Sequence, residues 1–180
     1  MLHTFTTIVF LSIAARLVLC GDMIKEDAIQ RNFHSDYRNM SLALHNMFRE
    51  NHGTKPLRQD DKLNQVAERY ARHAAKTGRS DLKDDRFGVN IFLTKDQSLS
   101  KSRLVYLAIK KWYSEESMFD YGKQQLSNET SHFTQMVWAE TRTLSTAIVH
   151  GDYGLACACV YFSKVFPDNI LPPIEPCKRL

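Results

Sequence analysis

Hydrophobic residues with helical spacing come first along this chain, and runs with strand-like spacing come later, so the two patterns do not alternate. Apolar residues recur with helical spacing in residues 40–48 and, as a longer stripe, in residues 63–74. Two β-like runs come much later, at residues 145–150 and 155–162, and the segment Gly151-Asp152-Tyr153-Gly154 between them is typical of a hairpin. Helices followed by a hairpin predict an α+β domain and disfavour an alternating parallel-sheet fold.

The segments between these elements complete the predicted order. A third helix is expected to open near Ser100, and residues 131–140 have the spacing of a short helix. Residues 88–94 are interpreted as a short extended piece, and the charged residues 79–86 as a loop. With 180 residues, the chain is long enough for one domain with a sizeable core.

The N-terminal segment has the pattern of a signal peptide. Residues 8–19 form a short apolar run, and cleavage is predicted near Cys20–Gly21. The alternative is a membrane anchor, which needs about 20 predominantly apolar residues, and Arg16 divides the apolar residues present here. We therefore predict a signal peptide at residues 1–20, a secreted, extracellular product without a transmembrane segment, and a polar lead over residues 21–39.

The cysteines and two sequons fit an exported protein. Cys157, Cys159 and Cys177 remain after signal removal, and residues two apart on a strand lie about 6.6 Å apart, which disfavours a Cys157–Cys159 disulfide. One of that pair could join Cys177 and leave the other free or intermolecular, whereas three buried unpaired thiols are the less favoured alternative. Asn39 and Asn128 are predicted glycan acceptors, and Asn128 is favoured because its surroundings have loop composition.

Three motifs occur in order along the chain. The first comprises His45-Asn46-Met47-Phe48-Arg49, then His52-Gly53 and Pro56-Leu57. The second is Trp112-Tyr113-Ser114-Glu115, and the third is His132-Phe133-Thr134-Gln135-Met136-Val137-Trp138-Ala139-Glu140-Thr141. With Cys159-Val160-Tyr161 after them, these motifs resemble those of the CAP superfamily, the cysteine-rich secretory, antigen 5 and pathogenesis-related-1 proteins.

The resemblance extends over residues 40–173, which defines the predicted CAP domain and leaves residues 174–180 as a C-terminal tail. It implies a three-layer α-β-α sandwich with a small antiparallel sheet. The closing Asn169-Ile170-Leu171-Pro172-Pro173 is similar to the Golgi-associated plant pathogenesis-related branch. This chain differs from the intracellular members of that branch in its apparent signal peptide and in lacking an N-terminal Met-Gly for myristoylation.

The family pattern implies a cleft with two His and two Glu, where the histidines can hold a divalent metal. By motif, Glu115 and His132 are the second Glu and the second His of this tetrad. Val89 stands where the first Glu is expected, and residues 79–86, where the first His is expected, contain none. His73 is not favoured as a replacement. Because zinc sites need three or four protein ligands, we predict no metal site and no cofactor.

The resemblance implies a secreted, non-enzymatic CAP-domain protein, an extracellular binding or signalling module with a degenerate cleft. Its partner would be an extracellular protein or a small hydrophobic ligand such as a sterol or another lipid. The net charge of +4 is spread along the chain and predicts no nucleic-acid partner. Two alternatives remain open: a hydrolase in which Glu115 orients His132 as a general base, and a structural or decoy protein without a working pocket.

Overall fold

The computed structural model describes residues 23–32, 36–82 and 84–162. Its α-helices are α1 (residues 23–32), α2 (Tyr37–Asn51), α3 (Asn64–Thr77), α4 (Lys101–Tyr113) and α5 (Ser131–Val137). Its strands are β1 (Arg58–Gln59), β2 (Gly88–Thr94), β3 (Thr143–His150) and β4 (Leu155–Phe162). The predicted signal peptide, the end of the predicted CAP domain and the C-terminal tail lie outside the described residues. Within them, no helix combines the length and apolar character that crossing a membrane requires.

Four strands form one sheet in the order β1-β3-β4-β2. Strands β3 and β4 form the predicted hairpin, in which His150 pairs with Leu155, and β2 pairs antiparallel with the other side of β4. The sequence predicts an antiparallel sheet, but β1 adds a short parallel edge beside β3. A strand of two residues has no periodicity, so hydrophobic spacing does not reveal it.

The sheet separates two helical layers, which confirms the three-layer α-β-α sandwich. Side chains alternate along β4: Cys157, Cys159 and Tyr161 join the core under α2, α4 and α5, whereas Ala156 and Ala158 join the core under α3. Both faces of β4 are therefore covered, and all its residues except the last are buried. The core under α3 is rich in alanine on both the helix and the sheet, so this helix lies close to the strands.

Helix α3 has clear boundary signals at both ends. The Asp60 carboxylate accepts a hydrogen bond from the Lys62 backbone N–H and caps the 3-10 turn Asp61–Leu63, which leads into the helix. At the other end, Gly78 has a φ of 72°, the left-handed conformation that glycine adopts without a side-chain clash. A Cβ atom at residue 78 would also collide with the ring of Tyr153. The turn of the β3–β4 hairpin therefore packs directly against the end of α3.

Helix α2 begins one turn earlier than the sequence predicts. Its apolar spacing starts at Met40, but the helix starts at Tyr37 because the Asp36 carboxylate accepts a hydrogen bond from the Asn39 backbone N–H at 3.1 Å. The first turn contains no residue of the buried stripe, so hydrophobic spacing does not detect it.

The predicted polar lead contains a helix, α1. A buried carboxylate holds it: Glu26 accepts hydrogen bonds from Lys110 Nζ at 2.8 Å and from Tyr106 Oη at 3.0 Å. Ile29 packs against the main core beside this contact. A helix attached by one ion pair and a single large apolar residue lacks the repeated apolar positions by which a sequence reveals an amphipathic helix.

One buried cation connects α2 to the chain around α5. The Arg49 side chain is fully buried. It donates to the backbone carbonyls of Lys55 (2.8 Å), Met136 (2.9 Å), Trp138 (3.0 Å) and Thr141 (3.4 Å). Burial lowers the pKa of Arg49 to about 10, so the guanidinium remains charged at neutral pH. Its donors therefore fix the C-terminal end of α2 against the end of α5.

We expect Arg49→Lys to lower the free energy of unfolding by about 3 kcal/mol, because an ammonium group lacks the forked donors that reach four carbonyls. Urea denaturation followed by circular dichroism measures the change. Arg72→Lys is the matched control, since the Arg72 side chain is 67% exposed. We expect it to cost less than about 0.5 kcal/mol. Equal effects of the two substitutions would show that Arg49 has no special role in the fold.

Candidate functional site

Glu115 and His132 meet where α4 and α5 approach each other. Glu115 lies in the 3-10 turn Ser114–Met118 directly after α4, and His132 is the second residue of α5. The Nδ1 atom of His132 lies 2.7 Å from Oε1 of Glu115. The structure thus brings together the two residues that match half of the family tetrad.

The Glu115 carboxylate also caps the start of α5. Its Oε2 atom accepts hydrogen bonds from the backbone N–H groups of His132 at 3.0 Å and Phe133 at 3.1 Å. These N–H groups have no partner within the helix, so the carboxylate satisfies donors that would otherwise need water. The Glu115 side chain is only 15% exposed, and both of its oxygens are directed at α5. It therefore has a structural task that is independent of any ligand.

The His132 ring is held on two sides. It lies nearly parallel to the indole of Trp112, with 10° between the planes and 6.1 Å between the ring centroids. Because a carboxylate only accepts, Nδ1 carries a proton, and Nε2 of the neutral ring is an acceptor. Nε2 has no hydrogen-bond partner within the described part of the chain, and the side chain is 37% exposed. This nitrogen is the atom of the pair that remains available to a ligand or to water.

Strand β2 contributes an amide to this region and not the acid that the family pattern implies. Asn90 is buried, and its Nδ2 donates to the His132 carbonyl at 3.0 Å and to Tyr161 Oη at 3.2 Å. Val89, at the expected acid position, packs with the core under α3. The sequence patterns do not single out Asn90, whose one signal is its place in the family-like stretch Gly88-Val89-Asn90-Ile91.

Ion pairs occupy the loop that would supply the first His. Asp81 lies 2.7 Å from His73 Nε2, and Asp84 accepts from Arg86 at 2.8 Å and from Arg69 at 3.1 Å. The hydrogen bond from Arg86 holds the pKa of Asp84 well below its ordinary value. His73 belongs to α3, across the sheet from α5, so it does not replace the missing histidine.

The residues present do not fit the metal site that the family pattern implies. A zinc site needs four protein ligands, or three with a water molecule. The hydrogen bond from Nδ1 to Glu115 leaves Nε2 of His132 able to bind a metal, but it uses the carboxylate as a partner of the imidazole, so this pair supplies one ligand nitrogen. Among residues 23–32, 36–82 and 84–162, no group of three or more His, Cys, Asp or Glu could hold a metal ion. We therefore assign no chemistry to a metal here.

A line of hydrogen bonds links the Asn90 region to the centre of the core. Tyr161 Oη, which accepts from Asn90, lies 2.7 Å from His45 Nε2, and His45 Nδ1 lies 2.8 Å from the Ser41 carbonyl. Because a carbonyl only accepts, Nδ1 of His45 carries the proton and Tyr161 donates to Nε2. His45 is fully buried, and burial lowers its pKa to about 4. It is therefore a neutral structural residue that joins α2 to β4.

Because His45 stays neutral in the fold at pH values that protonate it in the unfolded chain, we expect acid to destabilise the protein. Between about pH 6.5 and about pH 4, the unfolded chain binds a proton at this residue and the folded chain does not. The free energy of unfolding therefore falls as the pH falls through this window, by up to about 3 kcal/mol in total. Urea denaturation at a series of pH values measures the loss.

His45→Gln is the matched variant for this prediction, because glutamine keeps a donor and an acceptor but does not titrate. We expect its stability to change less than that of the wild type between about pH 6.5 and about pH 4. The same pH dependence in both proteins would exclude His45 as its cause.

The other predicted sites remain partly untested. Cys157 and Cys159 are fully buried, and neither forms a disulfide with any residue that the structure describes. A disulfide to Cys177 stays a prediction, because Cys177 lies outside them. Asn39 and Asn128 are both exposed, the first in the first turn of α2 and the second at the start of a 3-10 turn. Glycosylation of either asparagine also stays a prediction.

A separate groove lies between α1 and α2. Its volume is about 710 Å³, within the range of small-molecule sites. Neither Glu115 nor His132 lines it. Its lining is mainly apolar and includes Ala28, Ile29, Ala43, Met47 and Pro56.

Comparisons with known sequences agree with the motifs. The model of the family described as "CAP: Cysteine-rich secretory protein family" matches residues 42–162. Golgi-associated plant pathogenesis-related protein 1 of Homo sapiens is 26% identical over 149 residues, which cover 76% of this chain and 94% of that protein. Pathogenesis-related protein PR-1 of Medicago truncatula is 26% identical over 137 residues, which cover 73% of this chain and 77% of that protein.

Solved structures give the same fold. Hookworm Platelet Inhibitor superposes with a TM-score of 0.61 at 21% identity, over 79% of this chain and 78% of that one. NaASP2, whose structure was determined with Zn²⁺, superposes with a TM-score of 0.56 at 20% identity, over 81% of this chain and 90% of that one. At these identities the likeness establishes the fold alone.

Proposed function

This chain belongs to the CAP family of cysteine-rich secretory proteins, and we propose that it is a secreted, non-enzymatic member that acts as an extracellular binding or signalling module. The apolar run at residues 8–19, followed by the polar Gly21, supports export. The hydrogen bonds from the start of α5 to the Glu115 carboxylate support a role other than catalysis. They are the observation on which the proposed function chiefly depends.

A hydrolase built on His132 would need donors that stabilise an oxyanion as well as a base. The backbone N–H groups of His132 and Phe133, at the start of α5, are natural donors of this kind. Both of them point instead at Oε2 of Glu115, at 3.0 and 3.1 Å. The carboxylate that would orient the base thus occupies both of these donors, which favours a structural pair in a degenerate cleft.

The partner of such a module is an extracellular protein or a small hydrophobic ligand such as a sterol or another lipid. The groove between α1 and α2 supports the second possibility, because it has about 710 Å³ of volume and a mainly apolar lining. It lies apart from Glu115 and His132, so a ligand there would not depend on the missing half of the tetrad.

For a structural pair, we expect Glu115→Ala to lower the free energy of unfolding by about 2 kcal/mol, because two N–H groups of α5 lose their acceptor. Glu115→Gln should cost less, since its amide oxygen can still accept from the backbone. Denaturation with urea measures both changes.

His132→Ala separates this function from a hydrolase. We expect it to leave the rate of p-nitrophenyl butyrate hydrolysis unchanged, with His150→Ala as the control for an exposed histidine. Loss of turnover in His132→Ala, but not in His150→Ala, would establish the hydrolase in place of the binding module.

Mass spectrometry of protein expressed in a eukaryotic host tests export. We expect recovery from the medium, an N-terminus near Gly21 and glycan on Asn128 or Asn39. Retention in the cell with residues 1–20 intact would overturn secretion. Titration with a fluorescent sterol tests the small-ligand version, which should be abandoned if no lipid co-purifies and no sterol binds.

A further inference from the structure

Strand β2 is the long edge of the sheet. In the order β1-β3-β4-β2 it pairs with β4 on one side, and no strand of the described residues pairs with it on the other. Alternate backbone N–H and C=O groups of an edge strand point away from the sheet. Only Gly88 and Asn90 of its seven residues are buried, whereas β4 is buried over all but its last residue. The outer side of β2 is therefore open to a further strand.

The sequence of β2 lacks the residues that protect an edge strand from pairing. Residues 88–94 include no charged residue and no proline, which are the usual protecting residues. Four of the seven are large apolar residues: Val89, Ile91, Phe92 and Leu93. The opposite edge, β1, is protected by its length of two residues. The long apolar edge is thus the one that remains able to pair.

A second copy of β2 fits this edge. A two-fold axis perpendicular to a sheet makes two edge strands antiparallel and keeps every side chain on its own face, so one residue must pair with itself. With the axis at Ile91, the central residue, the whole strand pairs, and Gly88 faces Thr94 of the other copy. On the face under α3, Ile91 then meets Ile91, and Val89 meets Leu93. These half-buried apolar side chains would cover one another.

Charges beyond the two ends of β2 are complementary in the same register. Arg86 precedes the strand by two residues and Asp96 follows it by two, so with the axis at Ile91 each arginine faces the aspartate of the other copy. Arg86 uses Nε and Nη2 for Asp84, and its Nη1 stays available. Asp96 accepts hydrogen bonds from Ser98 and has no cation beside it in the described part of the chain. The symmetry therefore creates two opposite-charge contacts.

The neighbouring symmetric registers lack these contacts. With the axis at Asn90, Asp84 would face Asp96 of the other copy, and like charges opposite each other are destabilising. With the axis at Phe92, Asp96 would face Gly88, which has no side chain to pair with it. The charges thus select the register that also pairs β2 over its full length.

We propose that two copies of this chain associate by antiparallel pairing of β2 with β2, which joins two four-stranded sheets into one sheet of eight strands. Main-chain hydrogen bonds along the edge supply affinity, and the apolar pairs and the two Arg86–Asp96 contacts supply specificity. No residue of β2 lines the groove between α1 and α2. This self-association is therefore distinct from the proposed ligand site.

Sedimentation equilibrium of the purified mature protein tests this contact, with Cys177→Ser in every sample to exclude disulfide-linked dimers. We expect a reversible monomer–dimer equilibrium at micromolar concentrations. Arg86→Glu and Asp96→Lys each turn two attractive contacts into repulsive ones and should raise the dissociation constant at least about tenfold. Arg72→Glu and Asp152→Lys make the same charge changes at exposed positions away from β2 and should stay within about threefold of the parent protein.

A mixture of two variants separates contact between copies from effects within one copy. When Arg86→Glu protein and Asp96→Lys protein are combined, the introduced glutamate faces the introduced lysine, and the native Arg86 of one copy faces the native Asp96 of the other. We expect the mixed dimer to form within about threefold of the parent affinity, although neither variant dimerises well alone. An effect confined to one copy would not be rescued by mixing.

Three results would overturn the assignment. A protein that stays monomeric up to about 500 µM would leave the edge to residues of this chain outside the described part or to another protein. Equal losses in the control variants would reduce the effect to net charge. A mixture that associates no better than its components would exclude the Arg86–Asp96 contact. Unchanged circular dichroism keeps a loss of association distinct from unfolding, and Asp96→Lys tests the contact without breaking the Arg86–Asp84 ion pair.

Discussion

A buried guanidinium is the contact on which the arrangement of the elements depends. No carboxylate of the described residues pairs with Arg49, so its charge is balanced by backbone carbonyls alone. One of these carbonyls belongs to Lys55, three residues before β1, and another to Thr141, two residues before β3. The same side chain thus brings the approaches to both strands together, which accounts for a two-residue parallel edge that would be too short to form unaided.

A second constraint is a series of hydrogen bonds between uncharged side chains in the core. His45 on α2, Tyr161 on β4 and Asn90 on β2 are buried and bonded in sequence, and Asn90 then reaches the main chain of α5. Polar groups in a core are costly unless each finds a partner, so this line favours one register of β2 against β4. A shift by one residue would turn Asn90 toward the alanine-rich core under α3.

The sequence predicts those helices and strands whose signals lie within the element itself or in the turn beside it. Residues 63–74 form one apolar stripe and match α3, and the turn at 151–154 joins the predicted hairpin. The family motifs at residues 112–115 and 132–141, each a continuous stretch of sequence, identify Glu115 and His132 as residues of one site. By contrast, the role of Asn90 depends on a partner 42 residues away, and the Arg49 contact with Met136 spans 87 residues. Helix α1 is similarly hidden, because the hydrogen-bond partners of Glu26, Lys110 and Tyr106, lie 84 and 80 residues away.

These contacts explain why Glu115 and His132 have places in the fold although the other half of the tetrad is missing. Glu115 is needed by the first N–H groups of α5 whether or not a ligand binds, and His132 is packed against Trp112 as well as bonded to Glu115. Val89, at the position of the first Glu, packs with the core under α3. Residues 79–86, where the first His is expected, form ion pairs with one another. The Glu115–His132 pair therefore has structural contacts of its own, which do not depend on a His or a Glu at the other two positions of the tetrad.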